Sequence, residues 1–463
     1  MLSDTIAAIS TSMGGAGGIG VIRISGGKAL SITGKIFKPS TNETLKSHTV
    51  RHGWIVENFR RNGSKLEWVD EVLVTYMASP KSFTGEDIIE ISCHGGSFVQ
   101  KQILELAIKA GARLAERGEF TKRAFLNGKV DLAQAEAIID IIKAKTREAS
   151  LLAASQLKGA LTTKIEAIRE DLLGILTEIE ASIDFPDEIP DVDGKKMRSR
   201  ISSGIKAVDN LLETSDFGVI YREGLAVAIV GKPNVGKSSL LNAMLRQERA
   251  IVDEQPGTTR DLIEETLNIK GIALRVIDTA GIRRASNKVE KLGIDRAVRA
   301  IEEADMVLLV LDISEELDNE DRELINRTKG SRRIIVLNKA DKEEALKTSD
   351  IGLLREGKEL TVKVSALKGE GIDRLEKAVV DTVMSNKVVA QNMDVMINLR
   401  HKQCLTRAKE MLEKCQESVE NRMQADFVSI DLKAAIEALG EVTGEVVSEE
   451  IIERIFEQFC VGK

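Results

Sequence analysis

The sequence predicts a multidomain chain of mixed α+β and α/β class, with an α/β unit inserted into a helical domain. Three changes of texture carry this reading. Residues 1–121 are mostly short alternating or β-branched runs, residues 122–223 and 385–463 show sustained helical periodicity, and residues 224–384 alternate strand and helix signals. At 463 residues the chain exceeds one ordinary core, which fits an N-terminal α+β domain, two helical parts and an insertion between them. Helical arms on both sides of the insertion bury most surface by packing on each other.

In chain order, "TIAAIS", "GVIRISG", "HGWIVE", "DEVLVTYMA" and "DIIEISCHGG" read as strands separated by turn residues. "SFVQKQILELAIKAGARL" reads as the helix that follows them. From about Asp131, "DLAQAEAIIDIIKAKTREASLLAASQL" and "TTKIEAIREDLLGILTEIEASI" keep helical spacing until Pro186 and Pro190 interrupt it. A further helical stretch reaches residue 223, and "GLAVAIVGKPNVGKSSLLNAML" then gives an apolar strand, a glycine turn and a helix. The last helix is specified by Ser448 as its cap, by Glu449 and Glu450 at the positive end of its dipole, and by an apolar stripe of Ile451, Ile452, Ile455, Phe456 and Phe459. Cys460 follows that stripe, so the short tail has a fixed position.

Composition narrows the classes. With 43% hydrophobic and 30% charged residues the chain is globular, neither disordered nor collagenous. A net charge of -7 gives no general cationic field, so a polynucleotide partner requires a local patch or a second protein. Cys93, Cys404, Cys415 and Cys460 form no C-x-x-C pair and the histidines are scattered, which points to a reduced compartment without structural zinc. The N-terminus lacks a leader-like pattern and no run reaches membrane-spanning length; a cytoplasmic protein without membrane insertion is expected.

"GKPNVGKS", Gly231 to Ser238, fits the P-loop pattern and stands between a strand and a helix, as that pattern requires. Its glycines let backbone N–H groups face phosphates, Lys237 reaches the β and γ oxygens, and Ser238 holds magnesium. Asn234, Val235, Gly236 and Ser239 complete the loop. "DTAG" supplies Asp278, Thr279, Ala280 and Gly281: a carboxylate for the magnesium shell and a glycine amide for the γ-phosphate. "NKAD" supplies Asn338, Lys339 and Asp341, whose carboxylate accepts from the N1 and N2 donors that guanine has and adenine lacks. Ser365 and Ala366 of "VSAL" frame the base. Elements in this order give a Ras-like P-loop G domain that binds GTP. Between them, "VDEQPGTTRD" carries Thr258 and Thr259, and a threonine there completes the magnesium shell only while the γ-phosphate is present. Ile282 stands where Ras-like switches carry a water-positioning glutamine, so catalysis needs another group; Arg283, Arg284 and Glu290 are nearby, each otherwise a solvated charge.

Other signals read more plainly as structure. "GAGGIG", Gly15 to Gly20, matches a dinucleotide fingerprint, but a strand-like segment follows it instead of a helix, so it is a glycine-rich turn. His94 is expected to be buried and hydrogen-bonded. The basic stretches "RSRISSGIK" and "RHKQCLTRAKEMLEK" read as charged helix faces. The terminal "CVGK" suits neither usual prenylation class. Its cysteine is either an inert thiol or, with Lys463 favouring thiolate, a base or nucleophile.

"GKPNVGKSS", "PGTTRD", "DTAGIR" and the terminal "CVGK", together with "GGIGVIRISG", "SFTGEDIIEISCHGG" and "GEFTKRAFLNGKVDLAQAEAI", resemble the MnmE (TrmE) family of bacterial tRNA-modification GTPases over essentially the whole chain. The resemblance implies residues 1–121 as a folate-binding and dimerisation domain, 122–223 and 385–463 as the helical domain, and 224–384 as the G domain. It also implies a homodimer joined to an MnmG-type, FAD-dependent partner in a heterotetramer. Together they add an aminomethyl or carboxymethylaminomethyl group at C5 of the wobble uridine (position 34) of certain tRNAs. By the same resemblance Asn234 coordinates potassium and backbone groups near Asp253, Gln255 and Thr258 enclose it. Ser238 and Thr259 hold magnesium, and Glu290 orients the attacking water. Asp253 and Pro256 stand where the family often has a threonine and an alanine; with carbonyl ligands this bears on loop rigidity alone. Arg23, Glu86, Lys129 and Lys463 match the pocket for 5-formyl-tetrahydrofolate or a related one-carbon folate. Cys460 matches the cysteine required for modification. The catalytic set is thus Glu290, Lys237 and Cys460. The alternative reading is a GTP-dependent assembly or regulatory switch without tRNA chemistry, which shares the G domain and parts from the first at Cys460.

Overall fold

The computed structural model describes residues 4–11, 17–42, 44–57, 67–185, 187–188, 193–247, 265–277, 299–346, 360–383 and 394–463. They fall into two compact units, one made of the chain up to Ile139 with Leu439–Lys463 and the other running from Asp140 to Ala438.

In the first unit one sheet has the strand order β3-β4-β5-β6-β2-β1-β7. Its strands are β1 (Ile6–Ile9), β2 (Ile19–Ser25), β3 (Phe37–Pro39), β4 (Thr49–Glu57), β5 (Glu67–Met77), β6 (Ile88–His94) and β7 (Arg113–Leu114). All neighbours are antiparallel except β1 and β7. Alternation puts Ile22, Ile24, Val72, Val74, Ile89 and Ile91 in one core with helices α1 (Ala29–Ile36) and α2 (Ser97–Lys109). The opposite parity leaves Arg23 of β2 paired with Glu90 of β6. Helix α2 stops at Lys109, short of the Leu114 that its periodicity predicts. Gly111 takes φ +120°, and Arg113 then donates its N–H to the Thr5 carbonyl at 2.8 Å as β7 joins the sheet.

Helix α3 (Glu119–Leu126) starts after Gly118, which has φ 65°; a side chain there would strike the Phe456 backbone. The C-terminal helix, Glu449–Phe456, buries Ile455, Phe456 and then Phe459 against Leu132, Ala135 and Ile139 of α4 (Leu132–Lys143). Ile452 is partly buried and Ile451 lies at the edge, 37% exposed, so the stripe is narrower than expected. Ser448 occupies the N-cap position, but its side chain makes no cap bond; its backbone carbonyl accepts from Ile451 and Ile452.

In the second unit the sheet order is β13-β12-β11-β8-β10-β9. Here β8 (Leu225–Val230), β10 (Ile272–Ile277), β11 (Met306–Asp312), β12 (Arg333–Asn338) and β13 (Leu360–Lys363) are parallel and β9 (Glu265–Ile269) alone runs antiparallel. Strands β8, β11 and β12 are buried along their whole length, as continuous apolar runs in a sheet covered on both faces must be. The helical arms do pack on each other. Helix Gly194–Glu213 lies along helix Leu399–Glu420, with Gly204 against Leu172 and Leu412 and ion pairs Lys409–Asp209 and Arg198–Glu420, both at 2.7 Å.

Leu412 is fully buried in that seam. Leu412→Ala is expected to destabilise the protein by about 2–5 kcal/mol, from lost transfer energy and the cavity left behind. A urea midpoint unchanged from the parent would show that the seam is not the packed core described.

Candidate functional site

The nucleotide loop is made by backbone conformation. Strand β8 ends at Val230, and Gly231 (φ +157°) turns the chain where a side chain would strike the Val310 carbonyl. Asn234 (φ 65°) and Gly236 (φ +96°) are left-handed, and helix Lys237–Gln247 begins directly after them. Successive turns of this kind form a nest whose N–H groups suit an anion. The Lys237 ammonium donates to the carbonyls of Gly231 at 2.7 Å and Lys232 at 2.8 Å. Burial pushes its pKa down, and phosphate oxygens in place of those carbonyls would oppose that shift.

The base side is tied to this loop by Asn338, the last residue of β12. Its Nδ2 donates to the Val235 carbonyl at 2.8 Å, and its Oδ1 accepts from the Ala366 N–H at 3.0 Å. Asp341 accepts from the Ser365 hydroxyl at 2.6 Å, a bond that holds its pKa below the ordinary carboxylate value. Lys339, at φ 63°, pairs with Asp312 at the end of β11. Thus Asn338 joins Val235 to Ala366, Asp341 is bonded to Ser365, Lys237 and Lys339 are held by Gly231, Lys232 and Asp312, and Gly236 lies under the Asn338 amide. Ser238 and Ser239 lie in the first turn of the helix. Asp253, Gln255, Thr258, Thr259, Asp278, Thr279, Ala280, Gly281 and Glu290 lie outside the described residues.

A second cluster forms in the first unit around α3. The Arg23 guanidinium lies between the Phe83 and Phe120 rings, at 5.7 and 5.6 Å from their centroids, and pairs with Glu90 at 2.7 Å. Glu86 accepts from the Ser25 hydroxyl at 2.7 Å and from Arg123 at 3.2 Å. Lys129 donates to the Pro80 carbonyl at 3.1 Å and its stem runs beside Gly85. The tail returns to the same helix: Phe120 N–H donates to the Lys463 carbonyl at 3.2 Å, Val461 bridges Arg117, and the Ser10 hydroxyl donates to the Gly462 carbonyl at 3.1 Å. Arg23 through the Phe120 ring, Glu86 through Arg123 and the Lys463 carbonyl through the Phe120 N–H thus all contact α3, Lys129 bonds the Pro80 carbonyl, and Cys460 is exposed on a tail held at four successive residues.

Sequence reasoning missed what supports this cluster. Arg123 is buried, bonded to Glu86, to Glu119 at 2.9 Å and to Asp4 at 2.8 Å, while Arg113 holds both acids from the other side. Burial alone would raise the Glu119 pKa; bonds from Arg113, the Glu116 N–H and Arg123 outweigh it and lower the value. The only signal in the sequence was an arginine on the apolar side of "GEFTKRAFL". His94 is exposed, against expectation, because β6 ends there; it bonds Asp70 at 2.6 Å. The basic stretches are paired within the chain: Arg200 with Asp171 and Glu178, and His401 fully buried in the capping box of Asn398. Among the described residues no helix is long and apolar enough to cross a membrane.

Because Asn338 joins the phosphate loop to the base loop without reaching the γ-phosphate, Asn338→Ala is expected to weaken GDP and GTP alike, by roughly tenfold or more. Titration with fluorescent nucleotides checks this; a loss confined to GTP would contradict the bridging role.

Two family models match the chain: the GTP-binding protein TrmE N-terminus over residues 5–129 and the MnmE helical domain over residues 132–460. The tRNA modification GTPase MnmE of Thermoanaerobacter sp. (strain X514) is 46% identical over 468 residues, covering all of both chains. That of Streptococcus thermophilus (strain CNRZ 1066) is 46% identical over 463 residues, covering 99% of this chain and 98% of its own. Among solved structures, Era in complex with MgGDPNP and a segment of 16S ribosomal RNA is 30% identical over 40% of this chain and 66% of its own, with a TM-score of 0.25. Matched at both ends by the family's own domains and along its full length by its members, the chain belongs to the MnmE family of tRNA modification GTPases.

Proposed function

We propose that this GTPase is potassium-activated and works in the cytoplasm as a homodimer. With an MnmG-type, FAD-dependent partner it forms a heterotetramer that places an aminomethyl or carboxymethylaminomethyl group at C5 of the wobble uridine of certain tRNAs. The observation that carries the reading is the anchored tail. A thiol is presented at Cys460 next to the helix whose Phe120 stacks on Arg23, in a chain that also holds a guanine-nucleotide loop set. In this reading the division of the chain is 1–121, 122–223, 224–384 and 385–463.

At the nucleotide site, Asp341 accepts from the guanine donors and is kept ionised by Ser365. Lys237 leaves its carbonyl cage for the β and γ oxygens, Ser238 and Thr259 would hold magnesium, and Glu290 orients the water. The left-handed turns at Asn234 and Gly236 give a cradle that fits phosphates. Asn234, with backbone groups near Asp253, Gln255 and Thr258, would hold potassium, which when bound would supply the charge that an arginine finger supplies elsewhere; this suits a chain with Ile282 after "DTAG". At the tail cluster, Glu86, bonded by Ser25 and Arg123, is an acceptor for pterin donors; Arg23, Lys129 and Lys463 supply cations for the glutamyl tail of a one-carbon folate.

Hydrolysis in potassium is expected to exceed that in sodium at equal ionic strength by about tenfold or more, and Asn234→Ala to abolish the difference. Equal rates in the two salts would remove the potassium role. Cys460→Ser is expected to keep hydrolysis and to abolish wobble-uridine modification, read by mass spectrometry of tRNA from a complemented deletion strain. Unaltered modification there would favour the assembly-switch reading.

A further inference from the structure

Lys232, the second residue of the phosphate loop, belongs to none of the roles above, yet it is the most heavily paired cation at the nucleotide site. Its ammonium lies 3.0 Å from Asp318, 3.0 Å from Asp321 and 3.2 Å from Glu315, and its side chain is only 12% exposed. Asp318 and Asp321 are held without the lysine. Asp318 is the N-cap of helix Asn319–Arg327 and accepts from the Asp321 N–H at 3.0 Å, while Asp321 accepts from the Asp318 N–H at 3.3 Å. Asp321 is 2% exposed and its Oδ1 is buried without a hydrogen-bond partner, so Lys232 is its one paired cation among the described residues.

The backbone of Lys232 points to the chemistry. Its carbonyl is one of the two that hold the Lys237 ammonium, so side chain and main chain of one residue join the phosphate-binding lysine to the start of helix Asn319–Arg327. The segment Asp312–Asp321 thereby takes one lysine from the phosphate loop, Lys232, and one from the base loop, Lys339. Without Lys232, three carboxylates would stand uncompensated within one side chain's reach of a loop built to hold phosphate, and repulsion would oppose every nucleotide that carries a diphosphate.

We propose that Lys232 is a positioning residue of the GTPase reaction, which fixes the first turn of the phosphate loop on Asp318 and Asp321 and cancels their charge so that the loop accepts nucleoside di- and triphosphates. It touches no substrate atom in this role. Its contribution is uniform between ground and transition states, and so belongs in KM and in GDP affinity, not in kcat.

The test uses the full-length protein with GTP turnover and GDP binding as readouts. Lys232→Met, which keeps the stem, is expected to raise KM for GTP and the Kd for GDP by about tenfold while kcat stays within about twofold. Lys232→Arg, which keeps the charge, is expected to restore both, and added salt to shrink the Lys232→Met defect by screening. Combining Lys232→Met with Glu315→Gln, Asp318→Asn and Asp321→Asn is expected to recover most of the affinity, since asparagine caps a helix as well as aspartate does. Parent-like affinity in Lys232→Met would overturn the proposal. So would a defect that neither the arginine nor the neutralised carboxylates repair, because that is the signature of lost packing alone.

Discussion

The nucleotide site depends on the parallel alignment of β8, β11, β12 and β13. Parallel neighbours end at the same edge, so the loops after Val230, Asp312, Asn338 and Lys363 emerge side by side although more than a hundred residues separate the first from the last. The Asn338 amide can then bond the Val235 carbonyl with one atom and the Ala366 N–H with the other. A register slip of one residue between β12 and β13 would shift Ala366 along that edge and break its bond to Asn338.

The two clusters solve different electrostatic problems. At the phosphate loop the charge to be met comes from the ligand, so the protein offers N–H groups and a lysine resting on carbonyls, which costs little to release. At α3 the charges belong to the protein. Arg123 is 1% exposed, and burial on that scale is tolerable only with several partners; Asp4, Glu86 and Glu119 provide them. The tail closes over this helix with backbone bonds, so the exposed thiol of Cys460 rests on a rigid base.

How much of this the sequence disclosed follows from how local each interaction is. The phosphate loop, the guanine motif and the strands leading to them were legible because each is contiguous and its chemistry is contained in a few adjacent residues. Ile22, Ile24 and Arg23 were assignable to opposite faces from alternation alone. What escaped were interactions between distant segments. Lys232 meets Asp318 86 positions away, and Arg123 meets Asp4 119 away; neither spacing has a local signature. The end of α2 was missed because periodicity continued through Gly111 while a strand pairing, visible only in three dimensions, competed for the next residues. His94 was misplaced for a similar reason: its neighbours are core, but the strand ends on it.

Insertion of the α/β unit into the helical arms imposes a last constraint, since a domain joined by two strands of chain would otherwise hang from them. The structure places both junctions together. Gly218, on helix Ser215–Glu223, lies against the backbone of Ile397, so close that a methyl group would meet its oxygen at 2.6 Å. From the same helix, Phe217 enters the core of the sheet with Tyr221 beside it, and Arg222 reaches Asp140 at 2.7 Å. The hairpin of β9 and β10 is held from the helical side as well: its turn residue Gly271 abuts Glu148, and Lys145 donates to Thr266 at 3.3 Å. That hairpin lies in the chain between "PGTTRD" and "DTAG". The hairpin is thus bonded to the helical arm within one compact unit.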